Sequence, residues 1–258
     1  MSATLDRHTR AFQAHAQAFL AGSEEDARNV RIKIDHSLRV LGKAEALTRA
    51  EGLPASLAEQ AWLAALYHDV GRFDQYARYR TFSDAASENH ARLGVRALLR
   101  GRMLADLTPG VRRAVLGAVF LHNAHTLPAR LAEPVGLLTR VVRDSDKLDI
   151  YKVMLEHFED PAAPNPVVVL GVVREPERYT AAILDQVLAR GLGDYRGMAF
   201  ENDFKLLLVG WVYDLNFAFA RRELAGRGYI ERLFALLPDD GPIRRLRDQV
   251  ARDLRQAG

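Results

Sequence analysis

The sequence predicts an all-α protein, and three observations carry that expectation. Apolar residues recur at helical spacing, strand patterns are almost absent, and Ser, Thr and Pro stand where helices should begin. Val30, Ile34, Leu38, Leu41 and Leu47 follow a period near 3.6 residues and mark one long helix. Leu57, Ala61, Ala64 and Ala65 continue the pattern in a second helix, entered at Pro54 and Ser56. Ser87 is placed to cap a helix running through Leu99. Thr108-Pro109 has the cap-then-proline order that opens a helix toward His122. Glu133-Pro134 opens another, continuing to about Phe158. The run PAAPNP at 161–166 breaks the chain, and only VVVL at 167–170 looks extended. Helical segments are expected again near 175–190, 200–224 and 242–255. The resulting organisation is a helical core over 1–160 with a helical extension over 161–258, packing on the core or merging with it into one unit.

The bulk numbers fit this picture. The 258 residues can bury a real core, and 48% hydrophobic with 27% charged residues is ordinary globular composition. The absence of cysteine excludes disulfides, thiolate metal sites and cysteine nucleophiles, and suits a reducing cytoplasm. The first twenty residues carry charges where a secretory leader needs an apolar stretch. The most apolar run, LLLVGWVY at 206–213, is far short of the roughly 20 residues of a membrane span, so a soluble cytoplasmic protein is expected. Net charge is only +3. The arginines at 244, 245, 247, 252 and 255 are interspersed with acidic residues, which reads as a solvated helix face and argues against nucleic acid.

Chemistry concentrates in the histidines and aspartates. His68-Asp69 ends a small apolar helix in LAALYHDVGRF, and Gly71 follows where the chain can turn. Two adjacent ligands at a helix end can diverge toward one metal or bridge two. Imidazole plus carboxylate suits Mn, Fe, Mg, Co or Zn. Partners must then converge from other helices: His36 in IKIDHSLRVLG, His90 in SENHARLGVRALL, His122 in VLGAVFLHNAH and Asp146 in VVRDSDKLDIY. Asp144 and Asp149 compete with Asp146, and His125 with His122; Asp149 could instead orient a histidine from behind. His8, His15 and His157 read as structural or surface groups, and Trp62, Trp211 and the run 211–219 as packing. Arg78, Tyr79 and Arg80 suggest a basic, aromatic loop, either solvated or acting as a lid.

The order His36, His68-Asp69, Asp146 resembles the H…HD…D pattern of the HD-domain phosphohydrolase superfamily, over about residues 32–154. HDVGRF resembles the HD-[IV]-G-[KR] form. NHARLGVRALL resembles the H-x-x-x-G-x-x-x-L element of members holding two metals, and His122 in FLHN falls where those members place a further ligand. The resemblance implies an HD-like helical bundle in which His36, His68, Asp69 and Asp146 bind one divalent ion. His90 and His122 would bind a second, with Asp69 bridging. It also implies that Arg72 contacts a substrate phosphate; Lys147, beside Asp146, and Lys33, one helical turn before His36, are further candidates for an electropositive rim. The G-Y-P element of the cyclic-di-GMP-degrading branch is absent, which argues against that substrate.

The function expected is hydrolysis of a small phosphate ester or anhydride, nucleotides among the candidates, by a metal-bound hydroxide. No protein nucleophile is needed. Two other readings stand beside it: a di-iron oxygenase of the same ligand set, and a non-catalytic ligand-binding regulator. Substrate identity and oligomeric state are not encoded in any motif. Specificity is expected to reside in the loop at 73–89 and in the tail after Pro166.

Overall fold

The computed structural model describes residues 2–160 and 171–257, and the fold is all-α. The expected break at 161–166 and extended stretch at 167–170 lie outside the described residues. Two compact units form, Met1–Asp149 and Ile150–Gly258.

In the first unit, α1 (Ala3–Gln17), α2 (Glu24–Ala50), α3 (Ala55–Tyr67), α4 (Gly71–Tyr79), α5 (His90–Arg100) and α6 (Pro109–Leu121) follow one another. The helix α7 (Val135–Glu159) begins in this unit. Among these, α3 is the centre: it packs on α1, α2 and α6, and Ala61, Leu63, Ala64, Ala65, Leu66 and Tyr67 are all buried. Its C-terminal half is apolar all round, and such a segment is stable only where neighbours cover every face. The second long helix, α2, is amphipathic, burying Val30, His36, Val40, Leu41, Ala44 and Leu47. It starts at Ser23, whose side chain accepts from Asp26 N at 3.1 Å in a reciprocal cap.

Several local expectations are corrected. The helix α1 was not anticipated, although Leu5, His8, Phe12 and Ala16 are buried along one face at helical spacing. The 73–89 segment is not a loop throughout: Arg78 and Tyr79 close α4, and only Arg80, at φ 55°, leaves it in the left-handed conformation. Asn89, not Ser87, caps α5, its side chain accepting from Arg92 N at 3.0 Å. Ser87 is instead tied to Gln75 within the loop. Thr108 is the residue before α6, with Pro109 in the first turn as expected, but its side chain makes no capping bond.

In the second unit, α8 (Ala181–Leu188), α9 (Glu201–Gly210), α10 (Ala218–Gly226), α11 (Tyr229–Ala235) and α12 (Gly241–Ala257) surround a core to which α7 contributes Tyr151. Tyr151 stacks on Tyr229 and donates to Leu208 O at 2.7 Å. The expected helix over 200–224 is broken by a short 3-10 turn, Trp211–Asp214, and α11 was not anticipated. The last helix buries Ile243, Leu246 and Val250 and turns Arg244, Arg245, Arg247, Arg252 and Arg255 outward, a solvated basic face.

Candidate metal centre

The site is assembled where apolar helices of the first unit end. His68 follows the last residue of α3, and its Nδ1 donates to Ala65 O at 2.7 Å. A carbonyl only accepts, so the ring proton resides on Nδ1 and Nε2 of the neutral ring is a lone pair. The same device ends α6: His122 Nδ1 donates to Val119 O at 2.7 Å. Arg143 of α7 holds that corner, donating to His122 O at 2.9 Å and to Ala124 O at 2.6 Å.

The other two rings are backed by carboxylates. His36, on the buried face of α2, donates Nδ1–H to Asp149 at 2.8 Å, and Asp149 is clamped by Arg39 at 2.8 and 2.9 Å. His90, the first residue of α5, has Nδ1 2.8 Å from both oxygens of Asp84. All four rings therefore commit Nδ1 as donor and turn Nε2 the other way.

Those Nε2 atoms meet in pairs, His36 with His68 at 3.3 Å and His90 with His122 at 3.0 Å. Lone pairs at such separations repel unless a proton or a cation lies between them. Asp69 divides its carboxylate between the pairs. Its Oδ2 is 3.7 Å from His36 Nε2 and 3.9 Å from His68 Nε2. Its Oδ1 is 3.3 Å from His90 Nε2 and 4.0 Å from His122 Nε2. Asp146 Oδ1 lies 3.0 Å from His36 Nε2 and 3.6 Å from His68 Nε2, buried and with no hydrogen-bond donor. Two triads that could hold a metal ion result, His36-His68-Asp69 and Asp69-His90-His122, each with its atoms within 4.8 Å of one another. This buried set of imidazole lone pairs and an undonated carboxylate oxygen fits divalent cations.

Electrostatics prepares the same charge states. Burial alone would push the Asp69 carboxyl up, but Lys33 and then Arg72 hold it well below the usual carboxylate range. Asp146 is likewise held down against its burial by the imidazoles of His36 and His68. Burial, followed by repulsion from His90 and His68, pushes His122 down to about 3. His90 is lowered by burial and by Arg72. His36 goes the other way: burial opposes its charge, but Asp146 and Asp149 raise it. At neutral pH the carboxylates are thus ionised and His90 and His122 are neutral, as ligands must be.

Two cations edge the site. Lys33 Nζ is 2.9 Å from Asp69 Oδ2 and sits 5.1 Å from the Phe82 ring centroid. Arg72 Nε is 3.2 Å from Asp69 Oδ1, and its NH1 reaches Gln75 Oε1 at 2.8 Å and Asp84 Oδ1 at 3.2 Å. Lys147 is buried on α7 next to Asp146. Asp144, also on α7, is fully buried, whereas His125 is exposed beyond the end of α6.

Gly71 has a different role from the turn expected of it. The chain turns over residues 68–70, and Gly71 starts α4 without a positive φ. A Cβ at this position would lie 2.1 Å from His90 O and 2.3 Å from Gly94 N. The missing side chain lets α4 lie directly on α5, which brings His90 to Asp69. Asp84, Gln75 and Asn123 were not singled out from the sequence. A carboxylate six residues before a histidine on a polar loop carries no periodic signal.

The HD domain family model matches residues 34–151, and this stretch is an HD domain. HD domains define a superfamily of metal-dependent phosphohydrolases, and the clustered His and Asp groups here fit a metal site of that type. No curated protein and no solved structure matches the chain. No helix among the described residues is long and apolar enough to cross a membrane.

Proposed function

We propose that the chain hydrolyses a small phosphate ester or anhydride, with nucleotides among the candidates, and does so in the cytoplasm. His36, His68, Asp69 and Asp146 would hold one divalent ion; Asp69, His90 and His122 would hold the second. The observation that carries this reading is the pairing of four Nε2 lone pairs across a single, divided carboxylate, Asp69. When bound, such ions lower the pKa of a coordinated water toward neutrality and draw charge from phosphoryl oxygens.

The chain's own contribution is positioning and charge. The Nδ1 partners lock each ring, so little reorganisation is required when the site is used. Lys33 and Arg72 now neutralise Asp69; once that carboxylate is neutralised by ligation, both cations face a phosphate as pairing partners. Arg72 is held in place through NH1 by Gln75, Phe82 O and Asp84, and would present its remaining guanidinium N–H groups to a phosphate oxygen. Lys147 would add positive charge beside Asp146. Phe82, buried between Lys33 and Tyr76, holds that lysine at the edge.

The test is phosphate release from a panel of nucleotides and sugar phosphates under Mn, Mg, Co and Fe. Turnover of at least one substrate, abolished in His68→Ala, is the expected result. A fully metallated protein silent across the panel would favour the regulatory reading. Oxygen consumption by an iron-loaded, coloured protein would favour the oxygenase.

A further inference from the structure

Resting on that reading, we propose that Asp84 is a positioning residue that makes occupancy of the second ion place, at His90 and His122, depend on the loop 80–89. The two histidine pairs are not equally supplied with charge. The His36–His68 pair has Asp146 beside it and Asp149 behind it, both on the helix α7. The His90–His122 pair has only its share of Asp69 in front. Behind it, the sole carboxylate in contact among the described residues is Asp84.

Asp84 is borne by the loop, and its carboxylate gathers donors from every element around it. Gln75 Nε2 of α4 reaches Oδ1 at 2.8 Å, and Arg72 NH1 reaches it at 3.2 Å. Asn123 Nδ2, just beyond α6, reaches Oδ2 at 3.0 Å, and Asn89 Nδ2 reaches it at 3.4 Å. His90 contributes both its Nδ1 and its backbone N–H, the latter at 3.3 Å. Gln75, fully buried, also ties the loop through Ser87 Oγ and Glu88 O, each at 2.9 Å. Seating of Asp84 and closure of the loop therefore draw on the same donors, Gln75 and Arg72, and a seated Asp84 fixes the tautomer and direction of His90. Its negative charge also makes the His90 imidazole a better donor to a cation. Linkage makes the dependence mutual: an ion held by His90 and His122 stabilises the seated loop.

The proposal is tested by loading the full chain with Mn and measuring each ion's affinity by chelator competition, with the electron paramagnetic resonance signal distinguishing single from paired ions. In wild type, two ions bind. In Asp84→Asn, whose amide presents N–H groups to the donors Arg72, Gln75 and Asn123, the second ion should bind about 10- to 100-fold more weakly. The first ion should be unchanged, and the paired-ion signal should appear only at correspondingly higher Mn. A merely structural role would weaken both ions together. Loss of both in a folded variant, or of neither, overturns the proposal. If Asp84→Asn does not fold, Asn123→Ala is read in its place. A selective, smaller weakening of the second ion is expected there, and unchanged affinity for both overturns the proposal. A folded wild type that binds no ion at all would instead overturn the underlying metal-site reading.

Discussion

His36 stands on the buried face of the long helix α2 and His68 follows the last residue of α3, with Asp146 and Asp149 both supplied by α7. His90 is the first residue of α5 and His122 follows the last residue of α6; Asp69 is the carboxylate in front of them, and the carboxylate behind His90, Asp84, is supplied by a loop. Each pair nonetheless contains one ring backed by a carboxylate and one backed by a carbonyl of its own helix. The difference separates two tasks. A carbonyl three residues back fixes a tautomer using nothing but a helix end, so it is as rigid as the helix. A carboxylate also adds charge, and its reliability is that of the element that carries it. The first pair is therefore expected to hold its ion more tightly than the second.

The largest effect that can break this comparison is removal of the shared carboxylate. Asp69→Ala should abolish binding of both ions together. Since metal catalysis supplies several kcal/mol of transition-state stabilisation, turnover should fall on the order of 10³-fold or more. Loss of one ion only would show that the pairs do not share it. Next, Asp149→Asn should weaken the first ion about 10- to 100-fold and spare the second, the mirror image of the Asp84 variant. Competition titration with a chelator reads both.

Gly71→Ala sharpens the comparison from the packing side. The new Cβ would overlap His90 O and Gly94 N, so α4 and α5 must separate. Overpacking of this kind costs about 1–3 kcal/mol, visible as a lower midpoint in urea unfolding. The second ion should suffer more than the first, because His90 moves and His36 does not. Equal stability in the variant would mean the helices can part freely.

Acid stability of the metal-free protein gives a smaller, graded signal. His122 is buried neutral, lowered from 6.5 to about 3, so below pH 6.5 the unfolded chain binds the proton that the folded chain refuses. Stability should then fall by about 1.4 kcal/mol per pH unit from this residue as pH drops from 6.5 toward 3. His90, lowered too, adds in the same direction. His36, raised, has the opposite sign: its contribution is complete below 6.5 and is lost as pH rises through its folded value. His122→Asn should flatten the acid limb, and a slope unchanged in that variant contradicts the assignment. Smallest of all, Arg39→Gln should weaken the first ion only a few-fold, since its guanidinium is partly exposed and acts on His36 through Asp149.

Much of this was legible in the sequence for physical reasons. His36, His68, His90 and His122 sit on or at the ends of helices whose apolar periodicity fixes which face is buried. Knowing the helix therefore places the ring. Asp149 as an orienting group followed from its position three residues after Asp146 on the same helix. Asp84 was not legible, because it sits in a loop whose shape is set by side-chain hydrogen bonds from Gln75, Arg72 and Asn123, not by period. The helical nature of 71–79 was hidden by its polarity, and the short helices of the second unit by breaks at 211–217 and 227–228 that no proline marks. In the sequence Gly71 looks like a turn residue because it follows a helix end, and the chain does turn just before it, over residues 68–70. Only the position of α5 reveals that a Cβ has no room.

The most direct test of the central claim is the ion content of the purified wild-type chain, dialysed against Mn and measured by elemental analysis beside Asp69→Ala. The account predicts two ions per wild-type chain and none in the variant. Equal ion content in the two folded proteins would contradict it.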